Sequence, residues 1–263
     1  MKTIEDVILK HSTRGMDKLQ NIHPKNFCKI AVEEFLKLEK GTVFLYTGFY
    51  VSGFAETDGP VGTYLLSVAL KKLGYSPIII TDNYCKDYFK EIETLYLTHE
   101  DCNNKNFDIL IKKYAPIAHI SIERIGRSKD DNYMNSKKQS IAKYTIPLDL
   151  LFEYGGIDVP TFAIGDGGNE IGMGNFHDYL EKNIDVIPSI VCCDYLIIAT
   201  VSNWGAYGFI SYLQQLTKQN IMPTFDDIDK YMDHIVDLGA VDGISRKNEK
   251  TIDGKEWQIE KDI

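Results

Sequence analysis

Thr161-Phe162-Ala163-Ile164 runs without a break into Gly165-Asp166-Gly167-Gly168-Asn169-Glu170-Ile171-Gly172-Met173-Gly174. A short β-branched and aromatic run bounded by glycine reads as a buried strand. Its carboxyl end then delivers an acidic, glycine-rich loop. The same arrangement recurs along the chain. Val43–Thr47 leads into Gly48 and then Glu56-Thr57-Asp58-Gly59-Pro60. Pro77–Thr81 ends at Asp82-Asn83, Ile117–Ile122 at Glu123-Arg124, and Tyr195–Thr200 at Ser202-Asn203. A weaker strand, or a loop, lies at Thr94–Leu97. Helical patterns fall at Phe27–Leu38, Gly62–Leu73, Phe107–Lys113, Leu148–Glu153, Trp204–Thr217 and Phe225–Val236. This alternation predicts an α/β fold of three layers: a mostly parallel, Rossmann-like sheet with helices on both faces. Open parallel sheets bind ligands outside the carboxyl ends of their strands. Asp58, Glu123, Asp166 and Glu170 are therefore expected to line one cavity.

A single domain is expected across 1–263, with an N-terminal helical region over 1–40 and a loosely attached polar tail over 244–263. Ser128–Gln139 reads as a mobile surface loop. The formal charge of −9 argues against a nucleic-acid partner, because phosphate binding needs clustered Lys and Arg. Five cysteines without a CxxC spacing give neither a disulfide framework nor a zinc ribbon. Cys192-Cys193 read as core residues at the entrance to a strand. No apolar run approaches the length of a membrane span, and the acidic start of the chain has no signal-peptide pattern. A cytoplasmic location follows as the expectation. A homo-oligomer is left open.

The loops carry the chemistry. In Glu56-Thr57-Asp58 two carboxylates can reach one hard cation through oxygen; Asp58 followed by Pro60 is equally good helix-capping chemistry. The five glycines in Gly165–Gly174 are costly to order. Neither the phosphate-loop template nor a dinucleotide fingerprint fits them, since no Lys-Ser/Thr pair follows and Glu170 stands where the last glycine belongs. The alternative is a metal or amino-acid cradle. Asp166 and Glu170 are then ligands or bases, Asn169 an orienting group, and Gly167 and Gly168 let the backbone approach a substrate. Glu170 is the first choice for proton transfer and Asp166 for a ligand. Glu123 competes as base, with adjacent Arg124 expected to lower its pKa. Arg124 and Arg127 offer planar forks for a substrate carboxylate; Arg124 can also pair with Glu123 or Asp166. Asn203 opens a helix, where backbone N–H groups can hold an anion, or serves as a cap. The metal candidates are Glu56, Asp58, Asp166 and Glu170. The six histidines show no zinc spacing, and no nucleophile elbow is present.

Taken together, Gly53–Pro60, Ile122–Arg127, Gly165–Gly174, Val201–Gly205 and Val241–Gly243 resemble the D-glutamate cyclase C-terminal domain family. The resemblance spans roughly Phe44 to Gly243, and the decapeptide is its most specific part. It is to a stand-alone, bacterial-type member; longer eukaryotic members are mitochondrial and carry a further N-terminal domain. The resemblance implies a lyase closing D-glutamate to 5-oxo-D-proline and water, or the reverse, assisted by a divalent cation (Mn²⁺ or Mg²⁺). The family pattern Tyr…Asn-Met-Arg-Gly is not matched by Tyr133-Met134-Asn135-Ser136-Lys137. Two other readings use the same crevice: a non-catalytic binding protein for an acidic metabolite, and a metal-dependent enzyme acting on a phosphorylated one.

Overall fold

The computed structural model describes residues 2–263. Six strands form one sheet: β1 (Thr42–Tyr46), β2 (Ser76–Thr81), β3 (Glu93–Tyr96), β4 (Pro116–Ile122), β5 (Thr161–Gly165) and β6 (Tyr195–Ile198). Every neighbouring pair runs parallel, in the spatial order β3-β2-β1-β4-β5-β6. This is the doubly wound Rossmann order, which reverses direction between β1 and β4 and opens a crevice at their carboxyl ends. The weak sixth strand is real and lies at the sheet edge.

Successive residues of a strand face opposite sides, and the core divides accordingly. Val43, Leu45, Ile79, Ala118 and Ile120 pack on α3 (Phe27–Phe35), α4 (Pro60–Lys72) and α8 (Ser202–Thr217). Phe44, Tyr46, Ile78 and Ile80 pack on Phe107 of α5 (Asn104–Tyr114) and on Leu148, Leu151 and Phe152 of α6 (Leu148–Gly155). Helices therefore cover both faces, as the near-continuous apolar strands require. The short α1 (Ile4–Ile8) and α2 (Met16–Leu19) precede α3, and α7 (His177–Asn183) lies between β5 and β6. In α9 (Phe225–Asp237) Ile228, Tyr231, Met232 and Ile235 make the buried stripe, begun by a Thr224/Asp227 capping box. No helix among the described residues is long and apolar enough to cross a membrane.

Three expectations need correction. The tail is not loosely attached: Thr251–Ile252 pairs with Lys255–Glu256 as a hairpin, Ile252 is buried, and the Trp204 indole N–H donates to Glu260 at 2.9 Å. Ser128–Gln139 folds back on itself through a Met134–Ser140 bridge, and the Tyr133 hydroxyl donates to buried Asp149 at 2.6 Å. Cys192 is exposed and Cys193 only half-buried, because both precede β6 rather than entering it.

Candidate active site

Two helix starts meet in the crevice, and each is capped by a residue of the other's loop. Asp58 accepts from the backbone N–H of Ser202 (2.8 Å) and Asn203 (2.7 Å), the free donors at the start of α8. Asn203 Oδ1 in turn accepts from the N–H of Gly59 (3.0 Å) and Gly62 (2.7 Å) at the start of α4, while its Nδ2 donates to the Thr57 carbonyl (3.1 Å). Asp58 is thus a cap, but of α8 rather than of the helix that follows it. Both ends of the Asn203 side-chain amide are thus bonded within the protein. The N-terminus of α8 already holds a carboxylate, which argues against a phosphate there.

Glu123 follows β4 directly at the reversal point of the sheet, in a left-handed backbone conformation (φ 46°) uncommon outside glycine. Its Oε2 accepts from the Ser202 hydroxyl at 2.6 Å. Gly59 makes this convergence possible. A Cβ there would stand 2.7 Å from that of Glu123, at a backbone φ of 91°. Asp166 leaves β5 with its side chain wholly buried; Arg14 Nη2 stands 2.6 Å from its Oδ2. That contact is an ion pair without a directed hydrogen bond, and neither Asp166 oxygen has a hydrogen-bond partner. One oxygen from each of Asp58, Glu123 and Asp166 lies within 4.8 Å of the other two, and all three residues are buried.

Glu170 turns the other way. Its Oε1 accepts from the Gly167 N–H and its Oε2 from the Gly168 N–H, both at 2.7 Å, so the carboxylate buckles the glycine-rich turn. Beside the cluster opens a cavity of about 270 Å³, walled by Glu56, Glu123, Asn169, Arg14 and Asp253 and by Asn135, Ser136, Gln139 and Ser140 of the folded-back loop. It is smaller than the roughly 300–1,000 Å³ of drug-sized sites and suits a small metabolite. Asp58, Asp166 and Glu170 stand behind this wall rather than in it.

The sequence model of the D-glutamate cyclase-like, C-terminal family matches residues 4–263. The chain belongs to that family. Human mitochondrial D-glutamate cyclase is 29% identical over 78% of this chain, which spans only 39% of that relative's length. Among solved structures, the Bordetella bronchiseptica enzyme WbmG in complex with NAD is 8% identical with a TM-score of 0.34, covering 66% of this chain and 50% of that one. A UDP-glucose 4-epimerase from Brucella ovis in complex with NAD is 11% identical with a TM-score of 0.30, covering 68% and 47%. At such scores the likeness says nothing about a ligand.

For this cyclase-like chain the electrostatics of the cluster are decisive. Burial, then Asp253, raises Asp58 to about 6, against the neighbouring Asp166 carboxyl and the hydrogen bonds from the Asn203 and Ser202 N–H, which pull it down. Glu123 is held well above the carboxylate range by burial and by the charges of Glu170, Asp58 and Glu56. Glu56 rises through burial, Asp253 and Asp58, and Asp166 through burial, with Arg14 opposing. Such a cluster keeps protons or takes a cation. Buried oxygen donors without nitrogen or sulfur match a hard divalent ion, and the two orphaned oxygens of Asp166 are where a ligand is wanting. The residues fit.

The expected arginines are elsewhere. Arg124 is buried with its guanidinium donating to Asp82 (2.6 Å) and to the carbonyls of Gly48 (2.5 Å) and Ile146 (2.6 Å). It pairs with neither Glu123 nor Asp166, and the Glu123 carboxyl is pushed up rather than down. Arg127 pairs with Asp149 (3.0 Å) and Glu153 (2.6 Å) on α6. Neither lines the cavity. Asn169 does, with its Nδ2 donating to the Met134 carbonyl at 2.8 Å. Sequence reasoning missed Arg14 and Asp253. Gly15 hinted at a turn, but no local signal tied either residue to strands that lie far from it in the chain.

Proposed function

We propose that this protein is a divalent-cation-dependent lyase that closes D-glutamate to 5-oxo-D-proline with release of water. One observation carries the reading: in a chain of the cyclase-like family, buried Asp58, Glu123 and Asp166 converge beside a metabolite-sized cavity. Those three carboxylates would hold the cation, which when bound supplies Lewis-acid polarisation of a substrate carboxyl. Ring closure moves two protons from the α-ammonium to the departing oxygen, as the nitrogen bonds to the carbon of the γ-carboxyl and that carbon gives up an oxygen as water. Glu56 is the proton carrier. It walls the cavity, no hydrogen bond holds its carboxylate, and burial with the charges of Asp253 and Asp58 pushes its carboxyl well above the usual carboxylate range. Held in this cavity, the substrate is positioned in a ring-forming geometry. Glu170, whose oxygens are both held by backbone N–H groups, keeps the loop closed instead.

The test is a proton-NMR assay of purified protein with Mn²⁺ and either enantiomer of glutamate. Formation of 5-oxoproline from the D form is expected. Binding of D-glutamate without turnover would instead leave a metabolite-binding protein.

A further inference from the structure

Arg14 stands among carboxylates it cannot all satisfy. It reaches the cluster from the segment between α1 and α2, contacts Asp253, and lies 2.6 Å from Asp166. Its side chain is 27% exposed, so it is the accessible partner of a wholly buried acid. It walls the 270 Å³ cavity and also a neighbouring one of about 340 Å³, whose lining includes Lys18, Ser136 and Gly167. The guanidinium therefore has open space on both sides. The ion pair with Asp166 is not reinforced by a directed hydrogen bond, so little geometry is lost when it opens.

We propose that Arg14 is the resident counter-ion of Asp166 and exchanges with the divalent cation. Once displaced, it receives a carboxylate of the substrate in the cavity. The inference rests on the cation reading above. A cation on Asp166 repels the guanidinium at short range. Arginine carries five donors in a planar fork, so contact with Asp253 leaves donors to face the cavity. An acidic substrate beside Glu56, Glu123 and Asp253 needs that positive charge. Cation and substrate then bind cooperatively, and linkage makes the effect reciprocal.

The probe is glutarate, a dicarboxylate that lacks the amino group and cannot cyclise. Calorimetry on the full chain should show glutarate binding strengthened about 5-fold or more by saturating Mn²⁺. Arg14→Met should bind Mn²⁺ more tightly than wild type, because the competitor for Asp166 is gone. The same variant should bind glutarate about 10-fold or more weakly in saturating Mn²⁺, as a lost charge-assisted contact would dictate. Opposite shifts from one substitution separate exchange from a packing role, which would weaken both ligands and overturn the proposal. Arg14→Lys, retaining charge but not the fork, covers the case of a poorly folded Met variant; its glutarate affinity should fall while Mn²⁺ binding persists. If wild type binds glutarate but no Mn²⁺, the cation reading itself fails and the exchange with it. If wild type binds both without coupling, only the exchange fails.

Discussion

Asp166 and Glu170 lie four residues apart in one loop and do different work. Asp166 offers two buried oxygens without a hydrogen-bond partner, whereas both Glu170 oxygens are held by the N–H of Gly167 and Gly168. Asp166→Asn should weaken Mn²⁺ binding by more than the roughly 10–100-fold of a lost second-shell partner, as calorimetry would measure. Glu170→Gln replaces one acceptor by a donor facing a buried N–H. It should lower stability by about 1–3 kcal/mol in denaturant titration while leaving Mn²⁺ affinity nearly unchanged. Glu56→Gln should retain the fold and the cation and lose about 10²–10⁴ in kcat; an unchanged kcat would remove Glu56 from proton transfer. The acidic residues of these loops were legible because each sits where a strand ends. The division proposed for them, into ligand, buckle and proton carrier, was not, since it depends on which oxygens the backbone already occupies. Arg124 shows the same limit: a guanidinium beside Glu123 in sequence points across the sheet edge to Asp82.

Five of the strands and six of the helices were readable from periodicity, because the inner sheet is buried on both faces and its strands are largely apolar runs, whereas the edge strand β3, Glu93–Tyr96, is only partly buried and reads weakly. The C-terminal hairpin was not, because its polar residues interact with partners far away in the chain. Thr57 Oγ1 donates to the Thr251 carbonyl at 2.8 Å, and the Gly254 N–H to Asp242 at 2.8 Å. Glu260 anchors the segment. Burial first, then the charge of Asp58, raises it to about 8 despite the hydrogen bond from Trp204 that lowers it. The folded form therefore holds a proton that the unfolded form, near the ordinary value of 4.5, has already lost at neutral pH. The stability from this site is complete below about 4.5 and is lost as pH rises through about 8. Hydrogen exchange across residues 257–262 should accelerate beyond its intrinsic rate between about pH 4.5 and 8, with no further excess above that. Glu260→Gln should abolish that extra acceleration; an identical profile in the variant would assign the change elsewhere.

At the scale of the molecule, strand order determines where chemistry is placed. Reversal between β1 and β4 brings the loop bearing Asp58 against Glu123, and β5 adds Asp166 on the same edge. The cross-capping of α4 and α8 by Asn203 and Asp58 then fixes the spacing of the two loops. Strand ends foretold this edge, while Arg14 and Asp253, brought from opposite ends of the chain, became visible only in the folded molecule. Asp58, Glu123 and Asp166 are proposed above to hold a divalent cation. Among the described residues one other group of similar kind exists, His177, Asp178 and Glu181 on α7, and it is largely exposed. Anomalous diffraction at the manganese edge, from crystals grown with Mn²⁺, distinguishes them. A peak is expected within about 2.0–2.6 Å of an oxygen from each of Asp58, Glu123 and Asp166. A peak at α7 alone, or none at the cluster in crystals that turn over D-glutamate, would contradict the proposal.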